Sequence, residues 1–278
     1  MKNEYLKLYK TAKTQGYALG AFNVFNLITA QAVMQAAEEL DTPVVIEMSM
    51  SVIKKMGVKK ATKMLNVATF DAKVPFIIHL DHCSELSIAK ECIDEGWKSI
   101  MYDGSKLSMK ENTKNTKEIV DYAKGKNVLV EGEVGVILGT EDEHVSDISK
   151  LAKLEETLEY IKKTSIDMIA PAIGTAHGLY MGKPIINYKL IKELADIDIC
   201  PVVIHGGTGL SEAEYKKLVT ARAAKINVST ALKYAYLDTM AKLLKDRPIE
   251  YNPIKYDYEI IDGVKEVIKE HIKYFRLS

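Results

Sequence analysis

The chain has 278 residues, of which 47% are hydrophobic, enough for the core of one large domain or two small ones. Its 38 basic and 38 acidic side chains cancel, so neither nucleic acid nor an anionic membrane is indicated as a partner. No apolar run reaches the ~20 residues that span a bilayer, and residues 1–4 lack the apolar core of a signal peptide. The three cysteines are not spaced as a zinc or redox pair, and we therefore expect a reduced, cytoplasmic setting.

Short apolar runs alternate with segments of helical periodicity from one end of the chain to the other. Ser211 and Glu214 have the spacing of a capping box at the start of one of these helices. The predicted strands cover residues 18–22, 44–48, 75–82, 98–102, 128–131, 167–174, 201–205 and 225–228. The predicted helices cover residues 28–40, 84–95, 110–124, 154–163, 188–195 and 212–220, and the chain is predicted to turn helical from residue 231 onward.

This alternation predicts a parallel sheet, because parallel neighbours are joined by a crossover that is usually a helix. Eight strands are the number that closes a (β/α)8 barrel, so we expect residues 1–278 to form one TIM-barrel domain with a C-terminal helical extension. Strands that are apolar along almost their whole length fit a parallel sheet covered on both faces. An open doubly wound sheet is the alternative.

Polar residues stand where nearly every predicted strand ends, although the strands themselves are apolar. In TIM barrels the carboxyl ends of the strands form the active site, so these residues are expected to meet at one mouth. They are Asn23, Ser49, Asp81, His82, Asp103, Glu133, His177, His205, Asn227 and Ser229.

Three of these residues are histidines, and we predict that His82, His177 and His205 bind one zinc ion. Three protein ligands leave the fourth position of a tetrahedral zinc open for water or substrate, as catalysis requires. Asp103, Glu131 and Glu133 are candidates for a second, oxygen-rich site for a divalent or monovalent cation, or for a solvated loop edge. His79 precedes Asp81 by two residues on the same strand face and is interpreted as a core or supporting residue.

Two turns have the character of phosphate sites. Residues 206–209, with the sequence GGTG, follow the seventh strand, and residues 227–230 lead from the eighth strand into a helix. Backbone N–H groups at such turns and at helix N-termini bind anions, and barrels commonly hold phosphate there. The polar stretch 132–150 lacks clear helical or strand periodicity and is interpreted as a functional or disordered loop. Glu141 lies either on a lid that closes over the site or among acidic residues that are simply solvated.

With these residues in view, the chain resembles the class II, zinc-dependent ketose-bisphosphate aldolases, which include the fructose- and tagatose-bisphosphate enzymes. The resemblance runs from residue 17 to the last helix. Its motifs are Ala21-Phe22-Asn23, His79-Leu80-Asp81-His82, Tyr102-Asp103-Gly104-Ser105, Glu131-Gly132-Glu133-Val134-Gly135, Gly174-Thr175-Ala176-His177-Gly178, His205-Gly206-Gly207-Thr208-Gly209 and Lys225-Ile226-Asn227-Val228.

The resemblance implies a role for each matching position. The three histidines match the zinc ligands, and Asp103 and Glu133 match positions tied to an alternative or second metal site. Asp81 matches the acid/base at the scissile bond, and Glu141 matches the mobile-loop glutamate that moves the carbon-bound proton. The residues that match the dihydroxyacetone-phosphate site are Gly178, Gly206, Thr208, Asn227, Ser229 and Thr230. Further candidates for binding the substrate or its phosphate are Asn23, Ser49 and Gly207.

Some positions depart from the family pattern. Ser229 stands where some fructose-bisphosphate enzymes carry an acidic residue, Ala231 follows Thr230 in place of an acid, and residues 138–142 read LGTED where GGxED is common. These departures leave the sugar open between fructose 1,6-bisphosphate, tagatose 1,6-bisphosphate, another ketose 1-phosphate and a deoxy-sugar-acid phosphate. The resemblance also implies a homodimer or homotetramer.

Three other functions are alternatives to a metal-dependent aldolase. A Schiff-base aldolase needs a lysine inside the barrel near the strand tops, whereas Lys225 stands at the start of its strand. A metal-dependent hydrolase on the same barrel fits two phosphate turns less well. A non-catalytic sugar-phosphate-binding barrel would not need the three histidines together with Asp81.

Overall fold

A computed structural model describes residues 2–141, 144–146, 150–178, 180 and 182–277, with the side chains of residues 140, 141 and 144–146 excepted. The strands are β1 (Leu19–Asn23), β2 (Val44–Ser49), β3 (Phe76–Cys83), β4 (Ser99–Tyr102), β5 (Leu129–Val134), β6 (Leu138–Glu141), β7 (His144–Ser146), β8 (Met168–Pro171), β9 (Ala176–His177), β10 (Val203–Ile204) and β11 (Lys225–Val228).

The helices run between and after these strands. They are α1 (Lys2–Gln15), α2 (Leu27–Glu39), α3 (Met50–Met56), α4 (Val58–Ala68), α5 (Leu86–Asp94), α6 (Met109–Ala123), α7 (Leu154–Thr164), α8 (Tyr188–Ile197), α9 (Glu212–Thr220), α10 (Thr230–Asp246) and α11 (Pro253–Tyr274). In the part of the chain that the structure describes, none of them has the length and apolar character needed to cross a bilayer.

Eight parallel strands form the central sheet, in the order β10-β11-β1-β2-β3-β4-β5-β8. The two end strands approach each other through a parallel bridge between Ile169 and Val202, so the sheet closes on itself. This arrangement confirms the predicted (β/α)8 barrel and excludes the open doubly wound sheet. The predicted C-terminal helical extension is also confirmed, since α11 packs on α2 and α10.

The interior of the barrel is built in layers, because every second side chain of a strand points inward. Near the amino ends of the strands the layer is apolar, and α1 closes it from below with the buried side chains of Tyr9 and Ala12. The next layer is charged and fully buried, with Glu47, His79, Glu131 and Lys225 as its ionisable members. The polar strand ends form the layer at the mouth.

Several elements differ from the sequence prediction. The helices α1, α3 and α4 were missed, although Tyr5, Tyr9 and Ala12 give α1 a stripe at helical spacing. The polar stretch after residue 132 contains strand structure, since β5 continues to Val134 and β6 pairs with both β7 and β9. Strands of two to four residues are too short to show a period, which is why the pattern was not visible.

Candidate active site

Strand β3 carries two successive functional residues, Asp81 and His82, and its backbone is distorted there. Alternation along the strand points Ile77, His79 and Asp81 into the barrel, so His82 would by itself face outward. The pairing of β3 with β4 shifts register between Leu80 and Cys83, and His82 has the left-handed φ of 46°. This bulge turns the His82 side chain back into the barrel mouth beside Asp81.

The three predicted metal-binding histidines lie together in the structure. Ring nitrogens of His82, His177 and His205 all lie within 4.8 Å of one another, and all three residues are buried. His82 Nε2 lies 2.8 Å from His205 Nδ1, and the His177 ring centroid is 4.8 Å from that of His82. His205 follows β10 directly, whereas His177 lies on β9, outside the barrel sheet and six residues past the end of β8. The expectation that His177 ends a barrel strand was therefore wrong.

Carboxylates orient two of the three rings. His82 Nδ1 donates to Asp103 Oδ2 at 2.8 Å, and His205 Nε2 donates to Glu131 Oε1 at 2.8 Å. Each ring therefore uses one nitrogen as a donor to a carboxylate, and the remaining nitrogens, His82 Nε2 and His205 Nδ1, face each other. Their separation of 2.8 Å is that of a hydrogen bond, so one of them carries a proton that a bound metal ion would replace.

The donor set fits a zinc ion. Neutral imidazole nitrogens are ordinary zinc ligands, and a carboxylate on the distal ring nitrogen is the usual support for such a ligand. Burial lowers the pKa of His82, but Asp81 and then Asp103 outweigh burial and raise that pKa well above its ordinary value. The pocket therefore favours positive charge between the histidines.

A second group of possible ligands lies on the other side of His82. It consists of His82, Asp103 and Glu133, whose ligand atoms also lie within 4.8 Å of one another. Within the described residues, neither carboxylate oxygen of Glu133 has a hydrogen-bond partner, and burial followed by the charge of Asp103 raises the pKa of Glu133. Glu131 does not belong to this group, because its carboxylate points beneath His205.

Asp81 lies between the histidines and the amide side chains at the strand ends. Asn23 Nδ2 donates to its Oδ2 at 2.8 Å, and Asn227 Nδ2 donates to its Oδ1 at 3.2 Å. Burial alone would raise the pKa of Asp81, but the electrostatic interactions with His82 and then with His205 outweigh burial and lower the pKa to about 2. Asp81 is therefore a carboxylate at neutral pH, held in place by two amides and able to accept a proton.

The predicted phosphate-binding residues line a single cleft beside the histidines. Its walls come from the turn after β9, the turn after β10 and the start of α10, and its residues are His177, Gly178, Gly206, Gly207, Thr208, Asn227, Ser229 and Thr230. The N-terminus of α10 adds the positive end of a 17-residue helix. The Ser229 hydroxyl is buried and has no hydrogen-bond partner among the described residues.

Glycine is required in this cleft for steric reasons. A Cβ on Gly206, whose φ is +69°, would lie 2.4 Å from the Ala176 carbonyl oxygen, and one on Gly207 would lie 2.4 Å from the Asn227 carbonyl oxygen. The backbones of neighbouring turns therefore approach more closely than any other residue type allows.

Tyr180 is a residue of the site that the sequence reasoning missed. Its hydroxyl donates to the Gly206 carbonyl at 2.7 Å and accepts from the Ala176 N–H at 3.1 Å, which joins the two turns of the cleft. Tyr215 donates to the Gly207 carbonyl from below. A tyrosine four residues after Ala176 carries no recognisable signal, because the partner turns come from distant parts of the sequence.

The remaining predicted residues lie at varying distances from this centre. Ser49 ends β2 level with Asp81, and its hydroxyl lies 3.0 Å from that of Ser51. Glu141 ends β6, and its side chain lies outside the described part of the structure, as do residues 142 and 143 of the predicted lid. Cys83 follows His82 directly and is a possible soft ligand by position, but its thiol donates to the Glu85 carbonyl and does not join the ligand groups found among the described residues.

The family follows from comparison with known proteins. The family model for class II fructose-bisphosphate aldolases matches residues 3–278. The chain belongs to the class II fructose-bisphosphate aldolase family. Its members are metal-dependent lyases, and a phosphorylated sugar is therefore the implied substrate.

Individual relatives agree with this membership. The chain is 37% identical over 270 residues to a fructose-bisphosphate aldolase of Staphylococcus aureus, with 96% of this chain and 94% of the relative covered. It is 35% identical over 268 residues to a sulfofructosephosphate aldolase of Alkalicoccus urumqiensis, covering 94% and 93%. The crystal structure of the YdjI aldolase from Escherichia coli K12 superposes with a TM-score of 0.85 at 29% identity, covering 98% and 96%.

The close approach at Gly206 yields a prediction about stability. Gly206→Ala is expected to lower the free energy of unfolding by about 2 kcal/mol more than Gly209→Ala. Both positions have positive φ, but a Cβ at Gly209 meets nothing nearer than 3.5 Å. Denaturant unfolding of the two variants measures the difference, and equal losses would show that the Ala176 carbonyl does not constrain this turn.

Proposed function

We propose that this protein is a zinc-dependent class II aldolase that reversibly cleaves a ketose 1,6-bisphosphate of the fructose or tagatose type. The products are dihydroxyacetone phosphate and glyceraldehyde 3-phosphate, and residues 1–278 act as one domain. The observation that carries this proposal is the position of Asp81, a buried carboxylate whose Oδ1 lies 3.9 Å from His205 Nδ1 and accepts a hydrogen bond from Asn227 of the phosphate cleft. This arrangement matches a substrate that spans a metal, a base and an anion site.

His82, His177 and His205 would hold the zinc ion. When bound, the ion supplies an electrophile that polarises the ketose carbonyl and stabilises negative charge on the oxygens next to it. Asp103 and Glu131 fix the orientation of two of the rings, so His82 Nε2 and His205 Nδ1 point at the ion site before any metal arrives. Asp103 and Glu133 are proposed as oxygen ligands of a second divalent or monovalent cation.

Asp81 is the proposed acid/base. In the cleavage direction its carboxylate takes the proton of the C4 hydroxyl as the C3–C4 bond breaks, and in condensation it returns that proton. Two asparagine amides hold the carboxylate, so little reorganisation accompanies proton transfer. Glu141 is proposed to exchange the proton at the nucleophilic carbon.

The cleft around Gly206 would bind the phosphate of the dihydroxyacetone half. The Ser229 hydroxyl and the N-terminus of α10 provide a donor and positive potential, and the described residues that line the cleft include no lysine or arginine. Holding the phosphate fixes the reacting carbons between the histidines and Asp81, which is the positioning that the reaction requires. Asn23 and Ser49 are proposed to contact the sugar hydroxyls.

A Schiff-base mechanism is disfavoured by the surroundings of Lys225. The Nζ of Lys225 lies inside the barrel but 2.8 Å from carboxylate oxygens of both Glu47 and Glu131. Burial lowers the pKa of Lys225, but the two carboxylates outweigh burial and raise that pKa above its ordinary value. The amine therefore stays protonated and is not a nucleophile.

The identity of the ketose phosphate that is cleaved is the next question. One relative is named for fructose bisphosphate and another for sulfofructose phosphate, at 37% and 35% identity. Another ketose 1-phosphate or a deoxy-sugar-acid phosphate is the alternative substrate within the same chemistry. A non-catalytic binding barrel has less support, because it does not need Asp81. The homodimer or homotetramer and the cytoplasmic setting stay predictions.

The function is tested by turnover with and without metal. Purified protein is assayed for triose phosphate release from fructose and tagatose 1,6-bisphosphate side by side. We expect cleavage of at least one sugar, loss of activity with a chelator and its return with added zinc. Borohydride with substrate should leave activity intact, and activity that survives the chelator but is lost to borohydride would contradict the metal mechanism.

Asp81→Asn separates the base from the metal site. The variant keeps the shape of the side chain but loses the proton acceptor, so kcat is expected to fall by about 10²–10⁴-fold while zinc stays bound. Asp103→Asn is the contrasting variant. It weakens the hydrogen bond that orients the His82 ring, so its main effect is expected to be a loss of zinc affinity. Metal analysis and steady-state kinetics on both proteins make the comparison. Loss of zinc in Asp81→Asn would contradict the role assigned to Asp81.

A further inference from the structure

Beneath the proposed zinc site lies a layer of polar side chains that the reaction does not use. We call it the buried polar layer, and it consists of Glu47, His79, Ser99, Glu131 and Lys225, each fully shielded from solvent. Buried ionisable groups are costly unless each is paired, so the layer requires an explanation beyond core packing.

Lys225 lies at the centre of the buried polar layer. Its Nζ lies 2.8 Å from Glu47 Oε1, 2.8 Å from Glu131 Oε2 and 3.4 Å from His79 Nε2. His79 Nδ1 in turn lies 2.7 Å from the Ser99 hydroxyl. The ammonium is therefore fixed from several sides.

The same carboxylate that binds Lys225 also binds a proposed metal ligand. Glu131 Oε2 forms an ion pair with the ammonium at 2.8 Å, and Glu131 Oε1 accepts from His205 Nε2 at 2.8 Å. Because both oxygens are engaged, the plane of the carboxylate is fixed by Lys225 on one side and by His205 on the other. His205 Nδ1 then points toward His82 Nε2.

Lys225 supplies the cation for a third group of possible metal ligands. Ligand atoms of Glu47, His79 and Asp81 lie within 4.8 Å of one another and would by themselves suit a metal ion. The ammonium of Lys225 already lies within 3.4 Å of Glu47 and His79, so a cation is built into this position by the chain. A metal ion there would have to displace a buried ammonium.

We propose that Lys225 is a positioning residue of the zinc site, which acts through Glu131 to hold His205 with Nδ1 facing the metal. The inference rests on the zinc site of the proposed function and goes beyond it, because Lys225 touches neither metal nor substrate. It predicts that Lys225 controls metal affinity from one layer below the active site.

The test measures zinc affinity directly, by competition with a chromophoric chelator, on the full-length protein. Lys225→Met keeps most of the length of the side chain without its charge, and its zinc Kd is expected to rise by about 10–100-fold. Glu47→Gln is the matched control, since it also touches Lys225 but does not touch His205. Its zinc Kd is expected to stay within about threefold of the unmodified protein.

A double variant shows whether Lys225 acts through Glu131. If it does, adding Lys225→Met to Glu131→Gln should change the zinc Kd by less than about threefold, because the path is already broken. This pair also removes one positive and one negative charge together, so it serves as the test if Lys225→Met alone does not fold. Thermal unfolding of the metal-free proteins checks that each variant is folded.

Two results would overturn the proposal. One is a zinc Kd for Lys225→Met within threefold of the unmodified protein. The other is a tenfold or larger loss when Lys225→Met is added to Glu131→Gln, since the effect would then not pass through Glu131. Binding is measured without substrate, so a protein that binds zinc but cleaves no ketose phosphate refutes the proposed reaction and leaves this inference standing.

Discussion

The site depends on one distortion of the backbone, the bulge in β3 at His82. A regular strand sends neighbouring side chains to opposite faces, so it could not place both Asp81 and His82 in the barrel mouth. The left-handed φ of His82 and the register shift against β4 put the proposed base and a proposed metal ligand side by side. Such strained positions persist where the surroundings fix them, and here Asp103 holds the ring of His82.

Electrostatics inside the barrel follow from its layers. The apolar layer that packs on α1 excludes water from the amino ends of the strands, so the charges above this layer interact strongly. Lys225 offsets the carboxylates of Glu47 and Glu131, and Asp103 and Glu131 each accept from a histidine. The result is a set of ring nitrogens aimed at one point, with an ionised Asp81 next to them. The buried polar layer therefore fixes the orientation of side chains at the strand ends above it.

Much of this was predictable from the sequence, for physical reasons. Apolar β-rich runs ending in polar residues give eight parallel strands and one mouth, so the barrel and the grouping of His82 with His205 followed from pattern alone. The place of His177 did not, because β9 is two residues long and pairs with β6 outside the barrel sheet. The sequence also did not predict that the Lys225 side chain points into the barrel and reaches the layer below the histidines. Its position at the start of β11 indicated only the amino end of the barrel, away from the active site. Tyr180 joins turns that only the fold brings together.

We propose that the histidines on β3, β9 and after β10 share one zinc ion. Anomalous diffraction at the zinc edge from crystals of the zinc-loaded protein tests this most directly. We expect one strong peak within bonding distance of His82 Nε2, His205 Nδ1 and a nitrogen of His177. A peak bound only by Asp103 and Glu133, or none at the histidines in a preparation that cleaves ketose bisphosphate, would contradict it.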